Sequence, residues 1–457
     1  MNRSACKIRF DAGTLLLEHG DGLGLDRLDL PGLLWDPRVA AYRAPGYRYA
    51  SIIARLREEQ VPFADLVRPG RSPSIVMERP ALRAYQTDAL MSWQMAGRRG
   101  VVVLPTGSGK THVALAAMAH TRRAALVLVP TRVLLNQWVA CIKQRYGWPV
   151  GVYGDGDHTL RRVTVCTFES AYRQMDRFGD RFHLLVVDEA HHFASGLRAE
   201  ALEMCTAKAR LGLTATPPDR ADALARLDDL IGPVVCHQTI ADMAGGGHLA
   251  PFDHLRLMVN LTGEEREEYS QSHGAFCEVY AEFRRAGGQV WGDFQRLALK
   301  SKAGREALAG FHRARRIVST AREKLDVAGD LLRRHPQDRV LLFTADNAAA
   351  YTLSRELLIP AITCDIGRKE REQVLCALRK GQVRAVVSSR VLNEGVDLPD
   401  ARVGVVVGGS HGTREHVQRV GRVLRPQEGK RAVVYETVAR DTFEERHADR
   451  RQLSLVA

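Results

Sequence analysis

Two short segments carry the groups needed to grip a triphosphate and its metal ion. The first, Pro105-Thr106-Gly107-Ser108-Gly109-Lys110-Thr111, follows the apolar β-branched run Val101–Leu104 and precedes an alanine-rich helical stretch. Glycine lets consecutive backbone N–H groups close around phosphate oxygens, and the following helix turns its positive dipole end toward the same oxygens. Thr106, Gly107, Ser108 and Gly109 form the cradle, Lys110 reaches the β- and γ-phosphates, and the Thr111 hydroxyl is placed to ligate Mg²⁺. Leu104 stands where the strict G-x-x-x-x-G-K-[ST] pattern has its first glycine.

The second segment, Leu184-Leu185-Val186-Val187-Asp188-Glu189-Ala190-His191, ends a buried-strand pattern on two carboxylates. The carboxyl ends of parallel strands are where α/β sheets bind ligands. There Asp188 is the second Mg²⁺ ligand, and Glu189 is the base that polarises an attacking water. ATP with Mg²⁺ is the substrate pair these groups suit.

The elements that must hold these groups follow from the apolar runs. Val101–Leu104, Ala125–Val129, Val163–Cys166, Leu184–Val187 and Arg210–Leu213 are continuous apolar runs, each followed by a turn and a helical segment, the pattern of parallel strands covered on both faces. The cadence restarts at Arg339–Phe343, Arg384–Ser388, Val403–Val407 and Arg431–Tyr435, which implies a second α/β lobe. Ahead of the first lobe, short strands at Lys7–Phe10 and Thr14–Leu17 and a helix from Arg48 to about Glu59 suggest a small separate domain. It closes at the Pro/Gly/Ser-rich stretch Arg68–Pro73. Between the lobes, Thr262 to His312 is charged, helical in pattern and poor in strands.

The whole chain agrees with a multi-lobed reading. Its 457 residues exceed one compact core. No apolar run approaches the roughly 20 residues of a membrane span, and no apolar export segment opens the N-terminus, so a cytoplasmic protein with no membrane partner is expected. The eight cysteines are scattered without zinc-ligand spacing and read as buried thiols. A formal net charge of +13 favours a polyanionic partner through counterion release.

With Asp188-Glu189-Ala190-His191 in this setting, the chain resembles the superfamily-2 helicases of DEAH-box form. Arg83-Ala84-Tyr85-Gln86 is similar to their adenine-reading motif, which implies nucleotide contacts for Arg83 and Gln86. Pro130-Thr131-Arg132 is similar to motif Ia, and the resemblance implies nucleic-acid contacts for Thr131, Arg132, Thr167, Ser389 and Arg390. Thr214-Ala215-Thr216 resembles motif III, whose Thr214 and Thr216, with His191, couple the nucleotide to the track. Val386–Pro399 resembles motif V and implies nucleotide contacts for Gly395 and Asp397. Gln418–Arg425 resembles motif VI, with Gln418 at the nucleotide and Arg422 and Arg425 as arginine fingers.

Trp35–Arg43, the helical Tyr47–Leu56, the charged insert and Arg316–Leu332 leading into Leu341–Thr344 narrow the resemblance to the XPB-like branch of repair and transcription helicases. The expected architecture is α/β: two RecA-like parallel-sheet lobes with a small N-terminal α/β domain and a helical thumb-like insert. Residues 1–70 form the damage-recognition-like domain, 76–250 the ATP-binding lobe, 255–312 the insert and 313–457 the second lobe. The implied activity is 3′ to 5′ DNA translocation or unwinding on single-stranded, forked or duplex DNA, with a nuclease or repair factor as a possible partner. An RNA-dependent ATPase, and an ATP-gated DNA clamp that recruits a nuclease, are the alternatives. One departure bears on unwinding: the family's Arg-Glu-Asp loop reads Arg220-Ala221-Asp222 here.

Overall fold

Ala125–Val129 and Leu184–Asp188 carry no polar alternation before their last residue, so both faces of each strand need cover, and every residue of both is buried. The computed structural model describes residues 6–18, 25–67, 76–196, 198–218, 220–288, 290–389, 401–408, 413–423 and 430–456. The chain divides into two compact units, Met1–Gln238 and Thr239–Ala457.

The first unit contains an eight-stranded sheet. Its order is Val234–His237, Arg99–Val103, Ala209–Thr214, Leu184–Asp188, Ala125–Val129, Val163–Thr167, Gly151–Gly154, Asp157–Thr159. All neighbours pair in parallel except the last two strands, which form an antiparallel hairpin. The five strands expected from apolar runs are the central ones. The outer three escaped because they are short, and Asp157–Thr159 is fully exposed.

In the same unit a five-stranded sheet, ordered Leu34–Asp36, Ala41–Pro45, Thr14–Glu18, Cys6–Asp11, Phe63–Asp65, is capped by helix Tyr49–Glu58. That helix buries Tyr49, Ile52, Ile53 and Leu56, the spacing of one apolar face. The small domain is seated on the eight-stranded lobe. A Cβ at Gly46 would lie 2.8 Å from the Met204 carbonyl oxygen, so only glycine allows this approach. Beside it the Tyr47 hydroxyl donates to Asp229 Oδ2 at 2.8 Å, and Arg48 pairs with the same carboxylate.

The second unit is built on a six-stranded parallel sheet ordered Phe252–Val259, Ala432–Ala439, Val403–Val406, Val340–Phe343, Ala385–Ser388, Ala361–Ile362. Residues 239–250, placed with the first lobe by the sequence reading, cluster here. Phe252–Val259 is an edge strand whose polar residues Asp253, His254 and Arg256 hid it. Helices Gly263–Arg285, Trp291–Ala298 and Lys302–Ser319 form the insert, with an aromatic core around Phe276, Phe294 and Phe311. Arg316–Leu332, read as one approach segment, is two helices interrupted at Thr320-Ala321.

The expectation that all eight cysteines are buried is corrected. Cys6, Cys166 and Cys205 are buried, whereas Cys277 and Cys364 are exposed. Cys277 lies on the solvent side of the amphipathic helix Gly263–Arg285, and Cys364 follows the last edge strand.

Candidate nucleotide and nucleic-acid site

The phosphate loop links strand Arg99–Val103 to helix Lys110–Thr121, and its turn needs glycine: Gly107 and Gly109 have φ of 88° and 77°. A Cβ on Gly109 would meet Gln86 Nε2 at 2.7 Å. Two side chains brace the loop from behind. The Tyr85 hydroxyl donates to the Ser108 carbonyl at 2.6 Å, and Gln86 Nε2 donates to the same oxygen at 2.8 Å. The Arg83 N–H donates to Gln86 Oε1 at 3.0 Å, so both ends of that amide are engaged within the chain. Arg83 itself is exposed beside the loop.

Lys110 Nζ lies over the loop and donates to the carbonyls of Leu104 at 2.9 Å and Pro105 at 3.3 Å. Thr106 Oγ1 and Ser108 Oγ are buried with no hydrogen-bond partner among the described residues. Buried hydroxyls are ordinarily paired. A loop with two unmet hydroxyls, a folded-back ammonium and a helix N-terminus fits a polyphosphate. Thr111 stands on the first turn of the same helix, where it could hold a cation.

Asp188 ends its strand at 8% exposure. Trp138 Nε1 donates to Asp188 Oδ2 at 2.9 Å, and the Glu189 N–H donates to Oδ1 at 3.0 Å, fixing the carboxylate plane. Glu189 has φ of 52°, the left-handed region, at a strain of about 1–2 kcal/mol for a residue with a Cβ. This turn holds Glu189 Oε2 3.4 Å from His191 Nδ1.

Beside the carboxylates, hydrogen bonds join His191, Thr214 and Thr216. The Thr214 hydroxyl donates to the Thr216 carbonyl at 2.8 Å, so its lone pairs face His191 Nδ1 at 3.1 Å. His191, Thr214 and Thr216, expected to couple nucleotide and track, are thus brought into direct contact.

The first-lobe track residues share the same sheet edge. Thr131 caps helix Arg132–Tyr146 by accepting from the Leu134 N–H at 3.3 Å. Thr167 caps helix Phe168–Phe178, accepting from the Ser170 N–H and donating to Ser170 Oγ at 2.9 Å. Their strands pair in register, Val129 opposite Thr167, and Leu128 opposite Val187 just before Asp188. Arg132 is exposed and ion-paired with Asp155 at 2.6 Å.

In the second unit, helix Thr413–Val423 carries Gln418 and Arg422. Gln418 is buried, with its amide nitrogen unpartnered among the described residues. Ser389 donates to Asn347 Oδ1 at 2.5 Å. Arg390, Gly395, Asp397 and Arg425 lie outside the described residues.

Sequence reasoning missed three residues. Tyr85 sits inside the quoted adenine-type motif and was passed over, and Trp138 lies in an apolar helix 50 positions from Asp188, with no local signal. Arg419, 1% exposed, donates to the Thr344 carbonyl at 2.9 Å, Ser389 at 3.1 Å and Gly408 at 3.4 Å, tying together the exits of three parallel strands. In the sequence it is one of three arginines spaced three apart in Gln418–Arg425.

Comparison with known proteins covers nearly the whole chain. Residues 8–67 match the xeroderma pigmentosum group B helicase damage recognition domain, 79–219 the type III restriction enzyme res subunit, and 307–457 the ERCC3/RAD25/XPB C-terminal helicase. The DNA 3′-5′ translocase XPB2 of Sulfurisphaera tokodaii is 34% identical, over 95% of this chain and 99% of that protein. The DNA 3′-5′ helicase XPB of Mycobacterium tuberculosis is 31% identical over 83% of this chain, which spans 64% of that protein's length. The TFIIH helicase/translocase subunit XPB of Danio rerio is 26% identical, over 82% of this chain and 47% of that protein. The crystal structure of the Pyrococcus furiosus Hef helicase domain aligns with a TM-score of 0.53 at 17% identity, covering 81% of this chain and 98% of that one, a likeness of fold. Among the described residues, no helix is long and apolar enough to cross a membrane.

Proposed function

Because the chain belongs to the XPB family of superfamily-2 DNA helicases, enzymes that hydrolyse ATP, we propose that it is a cytoplasmic motor moving 3′ to 5′ on DNA in repair or transcription-linked DNA opening. The observation that carries this reading is the placement along one sheet edge of the phosphate loop, Asp188 and Glu189, and the bonded group His191, Thr214 and Thr216, beside the helix caps Thr131 and Thr167.

Lys110 exchanges its loop carbonyls for the β- and γ-phosphates, with Thr106, Ser108 and the loop amides completing the grip. Thr111 and Asp188 hold Mg²⁺, which when bound neutralises charge between the phosphates. Glu189 takes the proton of the attacking water, and its strained turn keeps it apart from Asp188, which Trp138 immobilises. Gln86 braces the loop and, with Arg83, Gly395, Asp397 and Gln418, completes the nucleotide contacts. Arg422 and Arg425 are the arginine fingers, whose delivery to the γ-phosphate makes hydrolysis depend on closure during the cycle.

Thr131, Arg132, Thr167, Ser389 and Arg390 contact the DNA backbone, which positions without reading sequence, so binding weakens steeply with salt. A triplex-displacement assay with the third strand placed on either side of a DNA entry site tests the motor: displacement in one direction only, 3′ to 5′, supports it, and none in either direction rejects translocation.

A second reading, an ATP-gated DNA clamp that recruits a nuclease or repair factor, is favoured by Ala221. That residue opens helix Ala221–Leu230, while Arg220 and Asp222 form an exposed forked ion pair across it. Triplex displacement without strand separation of forked DNA is the outcome that favours it.

A further inference from the structure

Away from the phosphate loop, the second unit gathers three side chains of metal-binding type in its interior. His254 comes from edge strand Phe252–Val259, Glu436 from the neighbouring strand Ala432–Ala439, and His416 from helix Thr413–Val423. One ligand atom from each lies within 4.8 Å of the others. His254 Nε2 is 3.5 Å from Glu436 Oε2, and the two imidazole rings meet edge to face at 5.8 Å. Glu436 is 0% exposed and His416 2%.

Both ring nitrogens of His416, Nε2 of His254 and Oε2 of Glu436 lack a hydrogen-bond partner among the described residues. Buried polar atoms are rarely left so, and here one such atom from each of the three residues faces the same centre. A proton shared between His254 and Glu436 would satisfy that pair and still leave both nitrogens of His416 unmet.

The surrounding chemistry suits a cation. Glu436 Oε1 accepts from Arg451 Nε at 2.6 Å, which orients the carboxylate and leaves Oε2 for the centre. Two imidazoles and a carboxylate make a donor set for borderline divalent ions such as Zn²⁺.

We propose that His254, His416 and Glu436 form a binding site for one divalent transition-metal ion of the Zn²⁺ class, tying the helix that carries Gln418 and Arg422 to the edge of its sheet. Arg419 already fastens the same helix to the strand exits. The site stands independently of the motor reading, since it needs neither nucleotide nor DNA.

The test uses the full chain without nucleotide, stripped by chelator, with Cys277→Ser and Cys364→Ser removing the exposed thiols. Titrated Co²⁺ is expected to develop the visible ligand-field band of a four- or five-coordinate site, saturating at one ion per chain and displaced by Zn²⁺. Zn²⁺ is also expected to raise the melting temperature. His254→Gln, at the half-buried ligand, should abolish the band and weaken Zn²⁺ binding at least about tenfold, with the far-ultraviolet dichroism unchanged. His416→Gln should do the same. Absence of a band in the parent chain overturns the proposal, as does a band that survives both substitutions.

Discussion

The carboxyl ends of the two parallel sheets are built to opposite plans. In the first unit the side chains at the strand exits address one another and leave capacity unspent: Lys110 rests on carbonyls, Thr106 and Ser108 have unmet hydroxyls, and His191 is linked to Thr214. In the second unit the cation at the centre, Arg419, spends its donors on the carbonyls of Thr344, Ser389 and Gly408. One end is a preorganised ligand site. The other is a frame that fixes the helix bearing the proposed finger Arg422. An arginine in a motif can thus be architectural, as Arg419 is here.

Lys110→Ala should lower kcat for ATP by about 10²–10³-fold while leaving the melting temperature nearly unchanged, since the ammonium donates to loop carbonyls at the site surface rather than to the core. Steady-state ATPase and thermal unfolding, measured together, check this. Arg419→Ala should behave in the reverse manner, orphaning buried carbonyls and lowering stability by about 3 kcal/mol. Urea unfolding of the full chain reads that loss, and Arg419→Lys should recover little of it, because one ammonium cannot span the three exits.

Thr214→Val preserves shape but severs the bonds to His191 and Thr216. The expected result is basal hydrolysis retained and DNA stimulation reduced about fivefold or more. Equal loss of basal and stimulated rates would show that Thr214 serves the chemistry itself. The smallest effect is expected from Ala221→Glu, which restores the family's acidic loop: a modest gain in forked-duplex unwinding with ATPase unchanged. No gain would mean that strand separation is set elsewhere.

Both lobes were legible because their central strands are apolar from end to end, a pattern that only a sheet covered on two faces accounts for. The phosphate loop and Asp188-Glu189 were legible because each sits at the exit of such a strand. Edge strands were not, since Phe252–Val259 mixes Asp253, His254 and Arg256 into an apolar run. Trp138 and Arg419 were invisible for a different reason. Their partners, Asp188 and three backbone carbonyls, are brought near by topology, and neither residue type signals burial on its own. The amide of Gln86 reads as a nucleotide contact in the sequence, whereas the fold also gives it the task of bracing Ser108.

Steady-state ATP hydrolysis by the wild type and Glu189→Gln, at matched low salt, with no polymer, single-stranded DNA, duplex DNA and RNA, tests the DNA motor at its chemical step. Strong stimulation by DNA, little by RNA, and loss of both basal and stimulated rates in the variant are predicted. Robust hydrolysis without polymer, or stimulation by RNA in place of DNA, would contradict a DNA motor whose chemistry is coupled to its track.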